Sequence, residues 1–159
     1  MIVSDIMKTV KIYTDGACSG NPGKGGYGAI LEFNGIKKEL SCGFKSTTNN
    51  RMEILAAVVA MDALKEPCHV VLTSDSKYLV DSINQGWMEK WKSNNWYRTK
   101  NEKAKNVDLF KRLDAQLNRH KVEFVWVKGH AGHPENERCD QLATSAINGD
   151  NLIDDIIKE

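Results

Sequence analysis

Val10-Lys11-Ile12-Tyr13-Thr14 sets apolar against polar side chains with the two-residue period of a half-buried strand. Two more strand-like runs follow, Tyr27 to Phe33 and Lys37 to Phe44. Between them Asn34-Gly35 is the dipeptide that favours a type I′ hairpin. A helix is expected from about Asn50 to Lys65, stopped by Pro67. His69 to Ser74 reads as a fourth strand, and a helix beginning near Ser76 carries Tyr78, Leu79 and Ile83 at helical spacing. A Trp-rich basic segment leads into a helix from about Val107 to Asn118, with Phe110, Leu113 and Leu117 on one face. Val122 to Val127 is the last strand. Pro134 suits the first position of a final helix, where Glu135 and Glu137 complement the positive end. Residues 1–8 read as a loose leader in which Met7 could be an alternative start. The tail from Asn148 is weakly amphipathic and receives no assignment. The order of elements predicts an α/β fold.

With 159 residues the chain is expected to form one domain spanning residues 1–159, long enough to bury a core. No apolar run approaches a membrane span, and the N-terminus lacks the layout of a signal peptide. Cys18, Cys42, Cys68 and Cys139 are scattered without a C-x-x-C pair, which suits reduced thiols and a cytoplasmic protein. The net charge of +1 conceals an asymmetry. Between Trp87 and Lys121 stand ten Lys or Arg against four Asp or Glu, leaving twelve against seventeen elsewhere. Trp87, Trp91 and Trp96 fall in that same basic segment. A local basic footprint of this kind suits nucleic acid.

Four acids stand out in the acidic remainder. Asp15 closes the first strand-like run and Asp75 closes the fourth; Glu53 opens a helix, and Asp140 lies in the first turns of the last one. Strand ends and helix starts along one rim of an α/β sheet are where such folds place their chemistry. Carboxylates gathered there repel one another unless a cation sits between them, and oxygen ligands of high charge suit Mg²⁺ or Mn²⁺. Such a cluster is what two-metal phosphoryl transfer requires. Taken singly, each acid has a plainer explanation. Asp15-Gly16 could be a turn, Asp75 a helix N-cap, Glu53 the capping-box partner of Asn50, and Asp140 one polar residue on a half-exposed helix. Glu53 resists this reading, because Ala57, Ala60 and Leu64 mark its face as buried, and a carboxylate there needs a partner charge.

The segments around these acids resemble those of type 1 ribonuclease H. They are Thr14-Asp15-Gly16-Ala17-Cys18-Ser19-Gly20-Asn21-Pro22-Gly23, Thr47-Thr48-Asn49-Asn50-Arg51-Met52-Glu53, Ser74-Asp75-Ser76, and Lys128-Gly129-His130-Ala131-Gly132-His133-Pro134-Glu135-Asn136-Glu137-Arg138-Cys139-Asp140. The resemblance runs from about Val10 to Ala146 and includes the basic Trp-rich insertion of bacterial-type members. It implies a ribonuclease H-like, five-stranded mixed sheet, the first three strands antiparallel, with helices on both faces. It further implies an endonuclease that cuts the RNA strand of RNA/DNA hybrids without base specificity, using two Mg²⁺ ions, Mn²⁺ being a possible substitute. Asp15 is assigned to both ions, Glu53 and Asp75 to one, Asp140 to the other, and His130 to proton transfer or product departure. Asn21, Asn49 and Asn50 are the candidates for reading the ribose 2′-OH, since an amide both donates and accepts. Thr48 and Asn106 resemble residues that hold a DNA-strand phosphate, while Ser46 stands where relatives often place Arg. Trp87, Trp91 and Trp96 are expected to pack the base of a protrusion whose Lys90, Lys92 and Arg98 reach phosphates. Ser93, Asn94 and Asn95 interrupt that basic run where family members often carry more Lys or Arg, so the grip is expected to be weaker or to lean on Arg98 to Lys105. A monomer is the default state, with no obligate protein partner.

Other motifs lead elsewhere and fail. Gly23-Lys24-Gly25-Gly26-Tyr27-Gly28 satisfies the dinucleotide fingerprint, but Ala29-Ile30-Leu31 continues as strand where a helix N-terminus is required. A P-loop fails because Gly25 follows Lys24 and Cys18 occupies the place of its first Gly. His130, His133 and Cys139 fit no standard zinc spacing, and His133 is instead expected to cap the final helix. The rival from another class is a module that binds hybrids without cutting them; intact acids at all four positions argue against it.

Overall fold

The computed structural model describes residues 7–157, so most of the leader expected at residues 1–8 lies outside the described residues. Five strands form one sheet in the order β3-β2-β1-β4-β5. Strands β1 (Thr9–Gly20), β2 (Gly23–Phe33) and β3 (Ile36–Thr47) are antiparallel neighbours, whereas β4 (His69–Ser74) and β5 (Lys121–Trp126) run parallel to β1. The expected mixed sheet is therefore the one observed. Helix α1 (Asn49–Asp62) makes the crossover from β3 to β4. Between β4 and β5 come α2 (Lys77–Asn84), α3 (Trp87–Ser93) and α4 (Val107–Arg119), and α5 (Pro134–Ile147) follows β5.

Two glycines show why helices cover both faces. A Cβ on Gly16 would lie 2.7 Å from the Glu53 nitrogen in α1, and one on Gly28 would lie 2.3 Å from the Cys139 carbonyl oxygen in α5. Gly16 is registered opposite Tyr27, and Gly28 opposite Asp15. Adjacent strand residues point to opposite faces, so α1 and α5 pack on opposite sides. Gly26 and Gly28 of the run that mimics a nucleotide fingerprint serve the close approach of α5, a Cβ on Gly26 lying 2.7 Å from the Ala143 carbonyl oxygen.

Several boundaries move, each for a tertiary reason. Asp15 ends the parallel ladder with β4, whose last rung is Thr14↔Ser74, but β1 continues against β2 as far as Gly20. The expected Gly-rich turn is thus two paired strand arms joined at Asn21 and Pro22. Helix α1 stops at Asp62, short of Lys65, where the Arg119 guanidinium donates to the Met61 and Leu64 carbonyls, the former also accepting from the Leu64 N–H at 3.1 Å. The tail left unassigned from Asn148 docks on the outer edge of the sheet. The Ile153 N–H donates to the Gly43 carbonyl at 3.0 Å, and the Lys45 N–H to the Ile153 carbonyl at 2.8 Å.

The tail also completes a buried charge cluster. Arg51, in the first turn of α1, is only 4% exposed and pairs with Asp108 of α4 and Asp155 of the tail, each at 2.7 Å. Thr47 donates its hydroxyl to Asp155 at 2.6 Å. The core lies between the sheet and α1, α2 and α4, with Ile12, Met52, Ile54, Met61, Leu72, Leu79 and Phe110 inaccessible to solvent. No helix among the described residues is long and apolar enough to cross a membrane.

Candidate active site

Three of the four acids meet at the C-terminal edge of the parallel strands. Asp15 follows the last β1–β4 rung, and Asp75 directly follows β4. Glu53 enters from the first turns of α1, whose start is fixed by Thr48: its hydroxyl accepts from the Arg51 N–H at 3.3 Å. Glu53 is therefore not the capping-box partner of Asn50, because the cap lies two residues earlier. It accepts instead from the Gly16 N–H at 2.6 Å. Asp75 is not an N-cap either, since Ser76 caps α2 by accepting from the Leu79 N–H at 3.1 Å. Asp15, Glu53 and Asp75 each present a carboxylate oxygen within 4.8 Å of the other two.

Asp15 and Glu53 are buried, at 6% and 3% exposure. Burial, the Glu53 and Asp75 charges and, most weakly, Asp140 hold the Asp15 carboxyl far above the usual carboxylate range. Burial and then Asp75 likewise raise Glu53, with the Asp15 contact and the Gly16 N–H working against the shift. The protein alone thus favours the protonated forms of Asp15 and Glu53. Their all-oxygen donor set, desolvated and without an ion-pair partner among the described residues, fits a hard divalent cation.

Asp140 stands in the second turn of α5 and lines the same cleft, of about 410 Å³, although it lies outside the set of three. Asn49, Asn50 and His130 line it as well. His130 is exposed in the β5–α5 loop and holds a left-handed backbone, with φ of 55°. Lys77 is the cleft's one lysine or arginine among the described lining residues, and its place on the rim was not singled out from the sequence. Its signal was adjacency to Asp75, which helical spacing alone does not resolve into a direction.

A second cleft beside the first gathers Thr48, Asn106 and Trp96 with Lys103, Lys105 and Lys111. Lys111 was missed because only the fold brings α4 to this wall. Arg51 lies beneath, and its Nη1 donates to the Asn106 side-chain oxygen at 3.5 Å. Asn21 lines neither cleft: its side-chain oxygen accepts from the Asn49 N–H at 3.3 Å and ties the hairpin tip to α1.

The protrusion differs from expectation in two respects. Trp91 and Trp96 pack against the core, Trp91 edge-on to Phe110 with ring centroids 5.4 Å apart, whereas Trp87 is 40% exposed. Lys92 is engaged by Asp114 at 2.9 Å and Arg98 by Glu102, leaving Lys90 without an ion pair among the described residues. The zinc alternative fails on geometry as well. Cys139 is fully buried with its thiol donating to the Tyr13 carbonyl at 3.3 Å, and burial raises that thiol well above its ordinary range. His133 occupies the N-cap position of α5, but its side chain makes no capping hydrogen bond.

A mixed sheet with a desolvated carboxylate cluster at the end of its parallel strands defines an α/β enzyme of the cation-dependent kind. The RNase H family model matches residues 7–148. A "Ribonuclease H" of Desulforamulus reducens is 57% identical over 146 residues, 92% of each chain. The structure of LC9-RNase H1, a type 1 RNase H with the type 2 active-site motif, matches with a TM-score of 0.81 at 30% identity, over 90% of this chain and 74% of that one. That of LC11-RNase H1 in complex with RNA/DNA hybrid matches with a TM-score of 0.68 at 25% identity, over 87% and 96%. The chain belongs to the ribonuclease H family.

Proposed function

We propose that this chain, working as one domain and as a monomer in the cytoplasm, hydrolyses the RNA strand of RNA/DNA hybrids without base-sequence specificity. The observation that carries the reading is the trio Asp15, Glu53 and Asp75, gathered within 4.8 Å at the sheet edge and open to a cleft. Two divalent cations, Mg²⁺ or in its place Mn²⁺, held between these acids and Asp140, would supply the Lewis acidity for attack by water and departure of the 3′ oxygen, giving 5′-phosphate and 3′-hydroxyl ends.

The chain's own groups do the rest. Asp15, which feels the charges of Glu53, Asp75 and Asp140, would be the carboxylate common to both cations; Glu53 and Asp75 would hold one, and Asp140 on α5 the other. Gly16 orients Glu53 through its N–H. Asn49 and Asn50 offer amides at the cleft, where a ribose 2′-OH could be recognised by a group that both donates and accepts. Asn21 acts through its hold on Asn49. His130, on an exposed loop at the rim, can move a proton at the imidazole or assist product departure. Thr48 and Asn106, with the lysines of the second cleft, supply donors for a phosphate of the DNA strand. Trp91 and Trp96 brace the protrusion, and Trp87, Lys90, Lys92 and Arg98 extend the contact along the backbone.

The test uses RNA/DNA, RNA/RNA, DNA/DNA and single-ribonucleotide DNA duplexes, end-labelled, in Mg²⁺ or EDTA. The expected outcome is cutting confined to the RNA of RNA/DNA and only with Mg²⁺. Binding of the hybrid without cutting in either Mg²⁺ or Mn²⁺ would leave the non-cleaving binding module in its place.

A further inference from the structure

Trp126 is 43% exposed at the end of β5, the sheet's edge strand, yet two of its contacts converge on the segment that carries Asp75. Its indole N–H donates to the Asp75 carbonyl at 3.1 Å. Its ring face lies under the Lys77 ammonium, 5.3 Å from the centroid. The ladder sets this up: Trp126 is registered opposite Ser74, and the Val127 N–H donates to the Ser74 carbonyl at 3.0 Å. Beyond that rung the ladder ends, and the indole N–H holds the next peptide in its stead.

Lys77 serves no evident purpose for the fold. It occupies the first position of α2, where a positive charge opposes the helix dipole. It forms no ion pair among the described residues, and it lines the acid cleft. A cation–π contact at an exposed site is weak, whereas an ammonium meeting a phosphate makes a charge-assisted hydrogen bond. An arriving phosphate can therefore draw the ammonium off the ring.

We propose that Trp126 is a positioning residue that clamps the Asp75–Lys77 turn at two points, its N–H fixing Asp75 for the cation and its ring face holding Lys77 ready for a phosphate of the RNA strand. The inference rests on the hybrid-cleaving reading above. The two functions reside on different atoms and can be separated. Trp126→Phe keeps a ring face but loses the N–H; Lys77→Met keeps the N–H contact but loses the ammonium.

Mg²⁺ binding is measured by calorimetry on the protein without substrate, and hybrid binding by fluorescence anisotropy in EDTA across a salt series. Trp126→Phe is expected to weaken Mg²⁺ binding at least fivefold while leaving the salt slope of hybrid binding unchanged. Lys77→Met should leave Mg²⁺ binding within twofold and reduce the slope of log affinity against log salt by about 0.9, the loss of one phosphate contact. Lys77→Arg should restore that slope. Wild-type Mg²⁺ binding in Trp126→Phe, or a wild-type slope in Lys77→Met, overturns the clamp while the family function stands. If the wild-type protein binds neither Mg²⁺ nor hybrid, both readings fall together.

Discussion

Asp15 is the residue on which most of this chemistry turns. Without a cation its charge has no counterpart: it is desolvated and faces Glu53, Asp75 and, more distantly, Asp140. Because the folded state raises its proton affinity, stability is fully present below the ordinary carboxylate range and is lost as pH rises through the raised value. Glu53 acts in the same direction. The cation-free protein should therefore lose stability from the ordinary carboxylate range upward, through about 7 for Glu53 and about 10 for Asp15, and Mg²⁺ should restore it by pairing with the carboxylates in place of their protons. Asp15→Asn removes the carboxyl that must take up a proton when the cation-free chain folds at neutral pH. Each tenfold change in proton affinity is worth about 1.4 kcal/mol, and each kcal/mol moves the melting midpoint by about 2–4 °C in a chain of this size. Thermal melts in EDTA at neutral pH should place Asp15→Asn above wild type by several degrees, with the gap closing at acidic pH. Equal midpoints in EDTA would mean that the acids are not electrostatically strained.

Most individual elements were legible in the sequence because their periodicity was strong. His69–Ser74 coincides with its expected bounds, and Pro134 opens α5 as its fixed φ and missing N–H suggest. The errors fall where a distant partner decides the boundary. The glycine-rich arms from Gly16 to Gly28 have poor strand propensity, yet they pair along their length, and at Gly16, Gly26 and Gly28 a Cβ would collide with α1 or α5. The four acids and the cleft amides were readable from local motifs. Lys77 and Lys111 were not, since their meaning lies in which wall each element faces. The tail gave no local signal either: Asp155 carries no periodicity, and its partner Arg51 is supplied by another element. That contact joins the tail to α1 and, through Asp108, to α4. Removing one member of a buried ion cluster leaves its partner's charge uncompensated, at a cost of about 3–5 kcal/mol. Asp155→Asn retains Asp108 as a partner for Arg51, so its loss should fall toward about 2 kcal/mol, read as a lower urea midpoint with an unchanged slope. A midpoint equal to wild type would show that the tail only decorates the sheet edge.

On the scale of the whole molecule, the fold sorts its charges into two territories. The acids gather where β1 and β4 end, whereas Lys103, Lys105 and Lys111, without ion pairs among the described residues, line the second cleft. A duplex lying across both would place one strand over the carboxylates and the other against Thr48 and Asn106. The protrusion contributes less free charge than its composition suggests, because Lys92 and Arg98 are already engaged. If the chain holds a duplex as proposed, Lys103, Lys105 and Lys111 are the cleft lysines placed to grip it, the first two lying within the stretch from Arg98 to Lys105. The most direct measurement is single-turnover cleavage of an RNA/DNA hybrid by wild type and Asp15→Asn in Mg²⁺, with hybrid affinity determined alongside. The expected result is a rate lowered by about three orders of magnitude or more, about 4 kcal/mol of lost transition-state stabilisation, with binding retained within a few fold. An Asp15→Asn variant that cuts at the wild-type rate would contradict the assignment of the acid cleft as the catalytic centre.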